Sequence, residues 1–349
     1  MNAGTAHGAK FEQAVTVTPL GANRYSAFLQ NAFCIGTVPH GGYTSAVLYR
    51  LALVHFASAH PSLYKGEPAT PISMHLTFLR RTAEGPVRLR VTDTKLGRRT
   101  SSVHVELLQA KDQAPTQDKA QAQAQAQEDE ANMEVKVAGY ITVSPASAEE
   151  GVSSNTEWEL HPAPAPGSQS DGGVDLARLG REQADGTWVI QDAPFKEFRK
   201  ATTQVELFGP DPAKAKRKNG IVDQWARLKP EGELTRWSNE GVVFLTDMFP
   251  MALDGFDSMA AGAEEASGRS GPTAQYWFPT VTLNIDLKKR LPEAGEEWLY
   301  SRVVTKEVRD GRTDLDVTIL DQKGEVVALS TQVGLVVSAS RNIGKRARL

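Results

Sequence analysis

The chain has 349 residues, of which 40% are hydrophobic and 23% charged, so it is a globular protein long enough for two ordinary domains. Its formal net charge of −3 gives no electrostatic basis for binding nucleic acid. We expect no membrane span and no secretory signal, because no apolar run is long enough and the N-terminus, MNAGTAHGAK, lacks an apolar core. The single cysteine, Cys34, excludes an internal disulfide and fits a buried structural thiol.

The N-terminal half predicts two short strands, one helix and then four strands. Alternation of apolar and polar residues favours two strands over residues 11–29. The stretch TSAVLYRLALVHFASA, residues 44–59, is apolar nearly all round, which is typical of a helix wrapped by protein. The four strands that follow are expected at Pro71–Arg80, Val87–Leu96, Ser101–Leu108 and Met133–Val143.

Two polar segments interrupt this pattern. Residues 111–131, KDQAPTQDKAQAQAQAQEDEA, are of low complexity and predict a disordered hairpin extension whose flanking strands still pair. Residues 146–195 are rich in Pro, Gly, Ser and Ala at their start and predict an interdomain linker.

The C-terminal half repeats the pattern of the first. We predict strands at Thr203–Phe208 and Ile221–Leu228, an apolar helix over Gly241–Leu253, and four more strands at Thr280–Leu287, Trp298–Val308, Thr313–Leu320 and Val326–Val337. Similar segments recur at an offset of roughly 210 residues, with PISMHL answering PTVTLN. A long antiparallel sheet around one apolar helix, present twice, predicts an α+β protein of two fused hotdog domains with continuous sheets. The expected domains are 1–145 and 196–340, followed by a tail at 341–349.

Five short motifs resemble those of one family, the double-hotdog acyl-CoA thioesterase II family of the thioesterase-like superfamily. The motifs are Pro39-x-Gly41-Gly42-Tyr43, Ser73-x-His75-x-x-Phe78-Leu79-Arg80, Thr246-Asp247-Met248, Pro279-Thr280, and Leu329-Ser330-Thr331-Gln332-x-Gly334. The resemblance covers nearly the whole chain and implies hydrolysis of an acyl thioester. It also implies that Asp247, Thr280 and Gln332 are the catalytic residues. The strand after Thr280 continues Val281-Thr282-Leu283-Asn284, where the family usually has Asp-His, so the substrate class stays open.

The residues themselves favour the same three positions. Asp247 lies in the apolar stretch GVVFLTDMFP, where a carboxylate is costly unless it is paired. Thr280 begins a strand whose alternate residues are polar, and Gln332 interrupts an apolar strand. Such a hydroxyl, amide and carboxylate together can hold one water and accept its proton. The alternative is a structural polar cluster that activates no water.

The expected substrate contacts come from the first half. Gly41, Gly42 and Tyr43 open the first helix, whose free N–H groups could bind a thioester oxyanion, although glycines required by a tight turn fit equally well. We include His40 and His75 as pocket-lining residues. Arg80 is a candidate for the phosphates of coenzyme A, with a solvated strand end as its alternative.

We therefore predict an acyl-CoA thioesterase that needs no cofactor and no metal, since the seven histidines show no metal-ligand spacing. Two alternatives remain: release of a polyketide or other specialised acyl chain, and a non-catalytic acyl-binding or scaffold protein. A homo-oligomer is compatible with either. The sequence ends Ala-Arg-Leu after two basic residues, which resembles the peroxisomal Ser-Lys-Leu signal, so we expect a peroxisomal protein of lipid metabolism or otherwise a cytoplasmic one.

Overall fold

The computed structural model describes residues 9–111, 132–154, 156–193, 195–215, 220–249 and 276–343. In the N-terminal half the helices are α1 (Ala9–Ala14) and α2 (Gly41–Ala59). Its strands are β1 (Thr18–Gly21), β2 (Arg24–Leu29), β3 (Cys34–Ile35), β4 (Val38–Pro39), β5 (Thr70–Phe78), β6 (Gly85–Lys95), β7 (Ser101–Ala110) and β8 (Met133–Ser144).

Within its described residues, the C-terminal half has three short helices, α3 (Leu176–Glu182), α4 (Asn239–Leu245) and α5 (Ser340–Ile343). Its strands are β9 (Trp188–Gln191), β10 (Val205–Pro210), β11 (Ile221–Leu228), β12 (Tyr276–Trp277), β13 (Thr280–Leu287), β14 (Leu299–Val304), β15 (Val308–Arg309), β16 (Arg312–Leu320), β17 (Val326–Leu335) and β18 (Val337–Ser338). No helix in these ranges is long and apolar enough to cross a membrane.

One antiparallel sheet runs through both halves, in the order β1-β2-β6-β7-β8-β5-β13-β17-β16-β14-β11-β10-β9, with β15 paired to β16. The halves meet where β5 pairs with β13, with Met74 opposite Ile285 and Leu76 opposite Leu283. These four side chains are buried, so the two halves are held together here by core packing as well as by the backbone hydrogen bonds between β5 and β13. The predicted pair of fused hotdog domains with a continuous sheet is confirmed.

The helices α2 and α4 pack against each other, and α2 also contacts β5, β7 and β8 of the sheet. Tyr43, Leu48 and Leu51 of α2 are fully buried, as expected for a helix that is apolar nearly all round. The N-terminus of α2 approaches the end of α4 so closely that a Cβ on Gly42 would lie 2.6 Å from the carbonyl oxygen of Phe244. This close approach brings residues from the two halves together.

The first predicted strand, around Val15 and Val17, was wrong. Residues 9–14 form α1, and β1 begins only at Thr18. Phe11, Ala14 and Val15 lie three and four positions apart, which places them on one face of a helix, and all three are buried. The ring of Phe11 packs on Phe244, at 5.4 Å between centroids, so tertiary contact favours the helix.

The second apolar helix is shorter than the predicted Gly241–Leu253. It ends at Leu245, and the hydroxyl of Thr246 donates to the carbonyl of Val243 at 2.8 Å. Side chains from two strands donate hydrogen bonds to backbone carbonyls just after the helix. Gln332 donates to the carbonyl of Thr246 at 2.8 Å, and Gln224 donates to the carbonyl of Met248 at 3.0 Å. The chain therefore turns at Thr246 and Asp247. Residues 250–253 lie outside the described part.

Part of the predicted linker, 146–195, is folded. It contains α3 and β9, and β9 extends the sheet by pairing with β10. The carboxylate of Asp185 accepts from the backbone N–H groups of Thr187 and Trp188, both at 2.7 Å, and Trp188 is buried. The ordered structure joined to the sheet of the second half thus extends back to Leu176, inside the predicted linker.

The predicted extension at 111–131 lies outside the described residues apart from Lys111, as does the Ala-Arg-Leu end. The strands on either side of the extension pair as expected, out to Ala110 opposite Met133. Cys34 is buried, and burial raises the pKa of its thiol to about 12, so it stays a protonated structural thiol.

Candidate active site

A cavity of about 260 Å³ lies between the start of α2, the end of α4 and the start of β13. Its polar end is formed by His40, Asp247 and Thr280. The remaining wall is largely apolar and aromatic, and includes Phe78, Phe249, Tyr276, Trp277 and Phe278. An apolar pocket with a few converging polar groups is the usual form of a small-molecule site.

Asp247 is buried at this polar end, with 3% of its surface exposed. One carboxylate oxygen, Oδ2, accepts the N–H of Gly42 at 2.7 Å. The other, Oδ1, accepts the hydroxyl of Thr280 at 3.1 Å. The carboxylate therefore links α2 of the N-terminal half to β13 of the C-terminal half.

Thr280 reaches Asp247 because β13 contains a bulge. Thr280 pairs with Gly334 and Thr282 with Val333, so Val281 is an extra residue on β13. Beyond the bulge, the buried residues of β13 are Leu283 and Ile285, on the inner face. Without the extra residue, alternation would place Thr280 on the outer face with Thr282. The sequence-based assignment of Thr280 and Thr282 to one polar face was wrong for this reason.

Gln332 lies on the inner face of β17, opposite Leu283, and is 4% exposed. Its amide nitrogen holds the carbonyl of Thr246, directly before Asp247. Its Oε1 is buried and has no hydrogen-bond partner among the described residues. Gln332 is not among the residues that line the cavity, although a buried amide oxygen without a partner is an acceptor for a small polar molecule.

Burial shifts two titratable groups of the site toward their neutral forms. It raises the pKa of Asp247, while the nearby His40, the Gly42 N–H, the Thr280 hydroxyl and the Gln332 amide oppose that rise. Burial lowers the pKa of His40, whose Nε2 lies 3.6 Å from Oδ2 of Asp247. A carboxylate with a raised pKa is a stronger proton acceptor once it is ionised.

The two glycines of the predicted oxyanion site lie against Asp247, and Gly41 also lines the cavity. A Cβ on Gly41 would lie 2.6 Å from Oδ2 of Asp247, and one on Gly42 would meet Phe244 and Asp247. The Gly42 N–H donates to Asp247, so it does not serve as a free oxyanion donor. Both glycines are needed because Asp247 and α4 press against the start of α2.

Three other expected substrate contacts have different outcomes. Tyr43 points into the core, where its hydroxyl donates to the carbonyl of Ala14 at 2.7 Å, so it does not line the cavity. His75 lies on the outer face of β5, with Nδ1 3.0 Å from Oδ1 of Asn284, because its neighbours Met74 and Leu76 face inward. Both assignments were wrong.

Arg80 does line the cavity, at its rim, where it pairs with Glu134 at 2.9 Å.

In the part of the first half that the structure describes, there is no second copy of the polar site. Where β5 pairs with β13, His75 lies opposite Asn284, so these two residues occupy equivalent positions in the two halves. Each strand has one bulge before this pair, and counting back through it makes Pro71 equivalent to Thr280. The same correspondence places Ile141 at the position of Gln332. The predicted alignment of Pro71 with Pro279 is therefore one residue off.

Two features of the structure were missed in the sequence. Gln224, on the inner side of β11, donates to the carbonyl of Met248, the residue after Asp247. The only indication of this role in the sequence was a polar residue within a predicted strand. His55, His60 and Asp93 also come together, although the histidines show no metal-ligand spacing. Asp93 lies on a distant strand, so no local pattern could have indicated the group.

Comparisons with known proteins assign both halves of the chain to one family. A model of the acyl-CoA thioesterase N-terminal domain matches residues 29–142, and one of the C-terminal domain matches residues 174–336. The chain is 32% identical, over 99% of its length and 98% of the relative's, to thioesterase-like protein TwmA of Talaromyces wortmannii.

Two solved structures share the fold. One is a hot dog fold protein of unknown function from Alicyclobacillus acidocaldarius, with a TM-score of 0.61, 15% identity and coverage of 94% of this chain and 97% of that one. The other is the acyl-CoA thioesterase II TesB2 of Mycobacterium marinum, with a TM-score of 0.54, 17% identity and coverage of 95% and 99%. Both halves match domains of one family, and the chain is a member of the double-hotdog acyl-CoA thioesterase family.

Proposed function

We propose that this thioesterase hydrolyses an acyl-CoA with Asp247 as the general base. The observation that carries the proposal is a buried carboxylate at the polar end of an apolar cavity, held by Gly42 and Thr280. A carboxylate kept in such a place at the cost of its hydration is typical of a catalytic group.

The reaction needs only one water molecule and the side chains of Asp247, Thr280 and Gln332. Asp247 removes a proton from the water as its oxygen attacks the thioester carbonyl, and the C–S bond then breaks. The proton passes from Asp247 to the departing thiolate, which gives a carboxylic acid and a thiol. Thr280 and the free Oε1 of Gln332 orient the water, and no covalent intermediate is required.

The residues that line the cavity favour a coenzyme A thioester as the substrate. Arg80, Arg81 and Arg199 lie along it, while Asp247 is the acid among its lining residues. Guanidinium groups suit the phosphates of coenzyme A. The aromatic wall formed by Phe78, Phe249 and Phe278 offers an apolar surface for the acyl chain.

An assay of free thiol release tests the substrate class. We expect faster release from an acyl-CoA than from the same acyl group on pantetheine or on an acyl-carrier protein, because only coenzyme A presents its terminal phosphates. Preference for the carrier-bound thioester would favour release of a specialised acyl chain. No release from any of the three, with binding retained, would favour an acyl-binding protein.

The pH dependence should reveal how Thr280 acts on the base. The hydroxyl of Thr280 lowers the pKa of Asp247 by donating to its ionised form, so Thr280→Val raises that pKa further. Because the base works only when ionised, the acid limb of the kcat/KM profile should move to higher pH in Thr280→Val. The measurement is kcat/KM against pH for both proteins, and a limb that stays or moves to lower pH would contradict this role.

A further inference from the structure

We infer that the chain binds a divalent transition-metal ion of the zinc class at a second site, formed by His55, His60 and Asp93. One ligand atom from each residue lies within 4.8 Å of the others. Nε2 of His55 is 2.8 Å from Oδ1 of Asp93, and Nε2 of His60 is 3.0 Å from Oδ2. Imidazole nitrogens and a carboxylate oxygen are donors that such ions prefer.

The spacing of these atoms suits a tetrahedral ion. Metal–ligand bonds of about 2.0–2.1 Å place neighbouring ligand atoms about 3.3 Å apart. The two observed histidine–carboxylate separations, 2.8 and 3.0 Å, each to a different oxygen of Asp93, are a few tenths of an ångström shorter than this, and the three ligand atoms lie within 4.8 Å of one another. An ion would replace the protons now shared between each histidine and Asp93.

His55 is held in a fixed position near the end of α2. Its side chain is fully buried. Its Nδ1 lies 2.8 Å from the hydroxyl of Tyr25 on β2, which fixes the orientation of the ring. Metal-binding histidines commonly have such a partner on their second nitrogen.

The other two ligands are open to solvent. The side chains of His60 and Asp93 are 21% and 26% exposed, so an ion can enter and water can complete its coordination. The three residues come from α2, the loop after it and β6, so a bound ion would tie the end of the helix to the sheet. His55 is about 20 Å along α2 from Gly42, so this site is separate from Asp247.

The test uses full-length protein stripped with EDTA, desalted and titrated with ZnCl₂ by calorimetry. We expect one ion per chain, a rise of several degrees in the melting temperature and no change in kcat. His60→Gln and Asp93→Asn should each weaken binding at least tenfold. His104→Gln, on the neighbouring β7 but outside the group, should bind as the unaltered protein does.

Cobalt provides an independent readout, because tetrahedral Co²⁺ absorbs visible light strongly. The unaltered protein should develop this absorption and the Asp93→Asn variant should lose it. Circular dichroism confirms that each variant is folded. Binding of less than one ion per chain, or equal affinity in His60→Gln, Asp93→Asn and His104→Gln, would overturn the inference.

Discussion

Replacing Asp247 with asparagine should lower kcat by about 10²–10⁴, the usual contribution of a positioned base. Asparagine keeps the shape of the side chain: its oxygen can accept the Gly42 N–H and its amide can donate to the Thr280 hydroxyl. It cannot accept a proton from water. KM should change little, because the cavity wall is untouched. The measurement is steady-state hydrolysis of an acyl-CoA.

Stability separates this mechanism from a structural polar cluster. Burial raises the pKa of Asp247, so its ionisation in the folded protein destabilises the fold, increasingly as the pH rises above the unfolded-state pKa. At neutral pH, Asp247→Asn should therefore melt at the same temperature as the unaltered protein or higher. A folded Asp247→Asn protein with undiminished hydrolysis would refute the mechanism and leave the fold standing.

Thr280→Val and Gln332→Leu provide matched comparisons. Each should reduce kcat less than Asp247→Asn does, because they orient the water without taking its proton. The losses should be strongly non-additive in combination, since the three residues serve one water. Gln332→Leu should also lower the melting temperature, because it leaves the buried carbonyl of Thr246 without its donor.

Gly42→Ala should lower both stability and activity. The new Cβ would lie 2.6 Å from the carbonyl oxygen of Phe244 and 2.9 Å from Cβ of Asp247, so α2 and the end of α4 must separate. Overpacking of this kind costs roughly 1–3 kcal/mol. A displacement of Asp247 by about 1 Å would lower kcat by about 10²-fold.

Gly151→Ala is the control for this change. A Cβ on Gly151 meets nothing within 4 Å, so its melting temperature and kcat should equal those of the unaltered protein. Thermal melting and kcat of both variants are the measurements. If Gly42→Ala behaved like Gly151→Ala, the close contact between the two helices would not be what positions Asp247.

Much of the fold could be predicted from the sequence because its signals are local and occur twice. Alternating residues in Ile221–Leu228 and Thr280–Leu287 predicted both strands with the bounds that the structure shows. The stretch over residues 44–59, which is apolar nearly all round and contains no Gly or Pro, predicted the helix that the sheet wraps. At the N-terminus, Phe11 and Val15 were misassigned, because apolar residues at short spacing fit a strand or a helix until a partner such as Phe244 is known.

Residue types alone also singled out Asp247, since a lone carboxylate in an apolar stretch is costly, whereas the reaction class came from the resemblance of the motifs to a known family. What only the tertiary structure decided is which groups meet that carboxylate. The bulge at Val281 turns Thr280 inward, and alternation leaves His75 on the outer face. Both follow from hydrogen-bond register between strands. The Gly42 N–H reaches Asp247 across 205 residues of chain because two helices from different halves pack at close range, a contact that local sequence cannot encode.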